Sequence, residues 1–62
     1  MTKAEMVYEI ISNTTFSGIN EKHAQRLVRR NSKQRIEEVY NAFVEDKGNA
    51  NAYYWLLTIP TM

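Results

Sequence analysis

Ser32-Lys33-Gln34-Arg35-Ile36-Glu37-Glu38-Val39-Tyr40-Asn41-Ala42-Phe43-Val44-Glu45 is the stretch whose pattern decides the fold. Ile36, Val39, Tyr40, Phe43 and Val44 recur at the i, i+3, i+4, i+7, i+8 spacing that lines one face of an α-helix, while Glu37, Glu38, Asn41 and Glu45 take the opposite side. Asn31 and Ser32 are both good N-caps, and Asn31 with Gln34 resembles a capping box, so a helix begins there after a turn. Gly48 is placed to close it as a left-handed residue.

Working outward, the same signals recur. Thr2 followed by Glu5 fits a capping box, and Met6, Val7, Ile10 and Ile11 follow at helical spacing, which gives a first helix over residues 3 to 12. The cluster Asn13-Thr14-Thr15 ends it, because these side chains compete for backbone hydrogen bonds. Phe16-Ser17-Gly18 then reads as a loop. With Asn20 as N-cap and Glu21 in the first turn, a second helix covers residues 21 to 30, turning Ala24, Leu27 and Val28 inward together with Ile19. Asn49 or Asn51 caps a short fourth helix from Ala52 to about Thr58, which Pro60 terminates. The chain is thus expected to be all-α: a single three-helix domain over residues 1 to 62 with a short aromatic C-terminal helix. Its buried cluster should contain Met6, Ile10, Ile11, Leu27, Val28, Ile36, Val39, Tyr40 and Phe43.

With 62 residues, a domain of this size buries only about 60% of the surface its unfolded chain exposes, so stability is marginal. The usual supplements are disulfides, metals or a second subunit. There is no cysteine, and a single histidine cannot assemble the four ligands of a structural zinc. Tight helix packing or self-association remains. A hydrophobic fraction of 44% and a charged fraction of 24% are those of an ordinary folded protein. The absence of cysteine suits a reducing cytoplasm. Glu5 and Glu9 interrupt the first dozen residues, so no export signal is expected. The longest apolar run, Ala52 to Leu57, is far shorter than the roughly 20 residues that span a bilayer, and no membrane helix is expected.

Catalysis by a nucleophile and base needs a hydroxyl or thiol beside a histidine that a third group orients. His23 is the only histidine and Asp46 the only aspartate, with no glycine-rich loop, paired acidic motif or metal-ligand spacing. We therefore expect no enzyme, cofactor or metal. His23 lies four residues from both Ile19 and Leu27, beside the core-facing stripe, and reads as a partly buried structural histidine.

Charge is segregated along the chain. Lys22, Arg26, Arg29, Arg30, Lys33 and Arg35 come with no acidic residue between them, and Glu37, Glu38, Glu45 and Asp46 follow with no basic one. A basic run around a helix-helix turn suits an acidic protein surface or phosphates, and the planar fork of arginine serves both. The candidate partner-binding residues are Arg26, Arg29, Arg30, Lys33 and Arg35. A DNA reader is usually more basic overall and carries a glycine in its helix-helix turn. Neither feature is present, which leaves a small DNA-binding or regulatory protein as the alternative. Tyr53, Tyr54, Trp55 and Leu57 form the second candidate surface. Tyr and Trp most often anchor interfaces, and a segment apolar all round must be covered on every side. Either these residues close the chain's own core as a lid or they pair with a second copy in a homodimer.

Met1-Thr2-Lys3-Ala4-Glu5, Ala24-Gln25-Arg26-Leu27-Val28 and Val39-Tyr40-Asn41-Ala42-Phe43 together resemble the small staphylococcal phage inhibitors of the host's replicative helicase loader, over roughly residues 1 to 45. The resemblance implies a helical, dimeric phage protein that binds the loader's ATPase domain and blocks host DNA replication. The chain departs from it in the spacing between the Ala24 and Tyr40 motifs, in Arg29 and Arg30 where the relative is acidic, and in the aromatic tail. These departures leave the partner open, as the helicase loader, another replication factor or another host protein altogether, and no contact residue is carried over.

Overall fold

The computed structural model describes residues 1–16, 18 and 21–59. Four helices follow one another: α1 (Lys3–Ser12), α2 (Glu21–Arg30), α3 (Lys33–Glu45) and α4 (Ala50–Thr58), with a 3₁₀ turn at Lys47–Asn49 leading into the last. Among the described residues there is no strand. The all-α expectation holds, with α1 packed against each of the other three helices and α3 against α4. Ile19 as a core residue, Asn20 as the cap of α2 and Pro60 as the end of α4 lie outside the described residues.

The local signals set the helix starts as read. The Glu5 N–H donates to the Thr2 hydroxyl at 3.2 Å and the Thr2 N–H to the Glu5 carboxylate at 3.0 Å, completing the capping box. Those hydrogen bonds, first that from the Thr2 backbone, hold the Glu5 carboxyl below its usual range. Ser32 caps α3, its hydroxyl accepting from the Arg35 N–H at 3.1 Å. At its other end α1 finishes with Thr14 and Asn13 donating back to the Ile11 and Glu9 carbonyls, the side-chain competition that the Asn13-Thr14-Thr15 cluster implies.

Met6, Ile10, Leu27, Ile36, Val39 and Phe43 are buried together, and Ile11, Val28 and Tyr40 pack against them half-buried. Val7, Ala24, Ala50, Tyr54 and Leu57 complete the core. Val44 does not join it. At about 100° per residue it falls past Tyr40 on the rim of α3, and it is 44% exposed.

Two turn readings need correction. Asn31 does not cap α3; it is buried, and its carboxamide donates to the carbonyls of Leu27 and Leu57, both at 2.9 Å. One NH2 group thereby satisfies orphan acceptors at the ends of two helices, α2 and α4. Gly48 does not close α3 in a left-handed conformation either. Gly18 is the described residue with positive φ, at 82°, and open space surrounds it, so backbone conformation rather than room calls for glycine there. The chain leaves α3 through Asp46, whose carboxylate accepts from the Asn49 side chain at 2.8 Å and the Tyr53 hydroxyl at 3.1 Å. This brace lets α4 begin at Ala50, ahead of the Ala52 start read from the sequence.

Candidate interaction surface

Burying Ala24 and Leu27 fixes which side of α2 meets solvent. Lys22, Gln25, Arg26, Arg29 and Arg30 stand on the opposite side at spacings of three and four, all exposed, and line a concavity of about 290 Å³. Among the described residues none of these four cations has a carboxylate within ion-pair distance. Arg29 and Arg30 also occupy the last turn, where a cation complements the negative end of the helix, and Glu21 occupies the first. That complement is worth some 0.3–1 kcal/mol per charge and explains at most the last two positions. Lys22 and Arg26, nearer the start of α2, gain nothing from it.

The basic run read from the sequence is split by the fold. Arg26, Arg29 and Arg30 share the α2 face with Lys22. Lys33 sits on α3 and approaches Glu37 at 3.9 Å, a loose exposed i, i+4 pair of small energetic weight. Arg35 is half-buried and its Nη2 donates to the Leu56 carbonyl at 3.4 Å, so it serves the C-terminus of α4. Arg35 is therefore a positioning group of the fold, and the candidate contact surface narrows to α2.

The aromatic segment is split as well. Tyr54 and Leu57 lie in the chain's own core and cannot meet a second copy, which corrects their assignment to a self-association surface. Tyr53 is half-buried, its ring 6.3 Å from that of Phe43. Trp55 stays 56% exposed despite an edge contact with Phe16 at 5.5 Å. Phe16, read as a mere loop residue, packs against the core beside Tyr54 and Trp55, and no periodicity in its neighbourhood signals that. His23 is half-buried as expected. Its ring stacks on that of Tyr54 at 5.7 Å, and its Nε2 shares a hydrogen bond with the Tyr54 hydroxyl.

No family model, curated protein or solved structure matches this chain. What the arrangement can do is thus argued from its own groups. Among the described residues no helix is long and apolar enough to cross a membrane, and no cluster of three or more His, Asp or Glu side chains could hold a metal ion.

The tyrosines of α3 and α4 give the fold a testable pH response. The hydrogen bond to Glu9 raises the Tyr40 hydroxyl above its ordinary value of 10.0; burial and then Asp46 raise Tyr53, and burial raises Tyr54. A raised pKa means that the folded chain keeps these protons when the unfolded chain has released them, so stability falls as pH rises past about 10. Melting temperatures measured from pH 9 to 11 should drop across that window. Replacing both Tyr40 and Tyr53 by Phe should flatten the drop, and an unaltered profile in that variant would refute the assignment.

Proposed function

We propose that this chain is a small helical binding module, of the kind carried by phages and mobile elements, that docks on an acidic surface of a host protein through α2 and inhibits it. One observation carries the reading: Lys22, Arg26, Arg29 and Arg30 share one exposed face with no carboxylate pairing them among the described residues. Unneutralised like charges on one helix face repel each other by a few tenths of a kcal/mol per pair, a cost that an acidic partner reverses. Exposed Trp55, Leu56 and Ile59 support a protein over a nucleic acid, since apolar side chains gain nothing against phosphates. The resemblance to phage inhibitors of the replicative helicase loader makes a staphylococcal loader, or another factor of the replication machinery, the first partner to test.

Titrating the protein with purified loader and, separately, with a duplex DNA at 50 and 200 mM salt distinguishes the classes. Four phosphate contacts would give a log-log salt slope of about −3.6, a loss on the order of a hundredfold between those conditions. We expect saturable loader binding with a shallower salt response and only weak, steeply salt-dependent DNA binding. Tight duplex binding with no affinity for the loader would turn the reading to the DNA-binding alternative.

A further inference from the structure

Helices α1, α3 and α4 form a closed triangle, each packed on the other two, whereas α2 packs broadly on α1 alone among the described residues. Its share of the core is the smallest as well. Three side chains are buried from each of α1, α3 and α4, but two from α2, Ala24 and Leu27, and of these Leu27 alone is large. Lifting α2 away would leave every interface of the triangle in place.

The limits of the detachable piece are marked on both sides. Before α2 the chain is pinned to α4: the Thr15 N–H donates to Asn51 Oδ1 at 3.0 Å, Asn51 Nδ2 donates back to the Thr15 hydroxyl at 2.8 Å, and Phe16 packs on Tyr54 and Trp55. Gly18 follows that anchor with positive φ and open space around it, so the backbone there can change direction without meeting a neighbour. After α2, Ser32 caps α3 and stays with it. Between these anchors one tie to α4 lies near each end of α2, His23 to Tyr54 and the Asn31 carboxamide to the Leu57 carbonyl. Breaking the two ties and lifting Ala24 and Leu27 off the core frees the helix.

Once lifted, α2 does not persist as a helix. It has 10 residues, below the roughly 12–15 at which an isolated helix becomes even marginal in water. Lys22 and Arg26, and Arg26 and Arg30, also repel at i, i+4. Its backbone amides then meet solvent.

We propose that α2 opens and unravels as a unit from a standing α1–α3–α4 core, so that the basic face exists only in the closed state. Such sub-global opening belongs to the element with the fewest buried apolar groups. Its bearing on docking rests on the functional reading above: a partner that reads Lys22, Arg26, Arg29 and Arg30 in helical register selects the closed state, and its affinity is scaled by the closed fraction. The opening itself is a property of the free chain. Its test therefore needs no partner, and its failure leaves that reading standing.

Native-state hydrogen exchange on the full chain, followed by NMR from zero denaturant to just below the unfolding midpoint, reads the opening amide by amide. The hydrogen-bonded amides of α2 should exchange on the order of tenfold or more faster than the slowest amides of α1 and α3, and should share one denaturant slope smaller than that of global unfolding. Phe43 lies within the triangle, against Tyr40 of α3 and Tyr53 of α4, and stays covered when α2 is open. Phe43→Leu should therefore speed the slowest amides by roughly several-fold yet leave α2 rates within about twofold. Leu27→Ala, which weakens the joint between α2 and α1, should speed α2. One rate and one slope common to all four helices, or an equal acceleration of α2 by Phe43→Leu, overturns the proposal, because the chain then opens as a single unit. Rates in α2 that scatter from residue to residue with no denaturant slope overturn it too, as fraying.

Discussion

The Phe43→Ala protein should show no cooperative melt near room temperature. Phe43 is wholly buried at the centre of the core, its ring 5.9 Å from that of Tyr40 and 6.3 Å from that of Tyr53. It comes from α3, which packs on both α1 and α4, so the void would open where three helices meet. Truncating a buried Phe costs about 3–5 kcal/mol, through lost transfer energy and the cavity left behind. At roughly 0.05–0.15 kcal/mol per residue, a chain of 62 residues has a total stability on the order of 3–9 kcal/mol. The loss therefore approaches the whole. Circular dichroism against temperature checks it, and a melt like the parent's would show that Phe43 is not the keystone of the core. Val44→Ala, one residue further and 44% exposed, should melt within about 0.5 kcal/mol of the parent.

Reversing Arg26, Arg29 and Arg30 to Glu should abolish partner binding and leave the fold in place. Three exposed attractions of some 0.2–1 kcal/mol each become repulsions of similar size, a swing on the order of 3 kcal/mol or more than a hundredfold in affinity. The effect on folding is smaller because two terms oppose. Glu at positions 29 and 30 lies at the negative end of α2 and costs about 0.3–1 kcal/mol apiece. The pair at positions 22 and 26 turns from a repulsion into an i, i+4 attraction and returns a few tenths, whereas positions 26 and 30 stay like-charged and return nothing. Binding should thus collapse while far-UV dichroism changes little.

Much of the fold was legible because its signals are local. The Thr2–Glu5 box, the cap at Ser32 and the stripe from Ile36 to Phe43 each lie within a few residues, and α1 and α2 have the limits read for them. What was not legible depends on distant groups. Asn31 looked like a cap, but its decisive acceptor is the Leu57 carbonyl 26 residues away. Phe16 gives no sign of its contacts with Tyr54 and Trp55 until α4 is placed. Charge reads along the chain as one basic block, yet helical rotation sends Arg26, Arg29 and Arg30 to solvent and Arg35 to the end of α4. The apolar run Tyr53 to Leu57 likewise announces burial without saying which side of α4 receives it.

The account's central claim is that the α2 face is the binding surface, and the most direct measurement is calorimetric titration of the helicase loader into the parent and the triple Arg→Glu protein in the same buffer. It predicts measurable heat and a saturable isotherm for the parent, none for the variant, and matching far-UV spectra for the two. Equal affinity in a variant that remains folded would contradict it and return Arg26, Arg29 and Arg30 to the role of solvated charges.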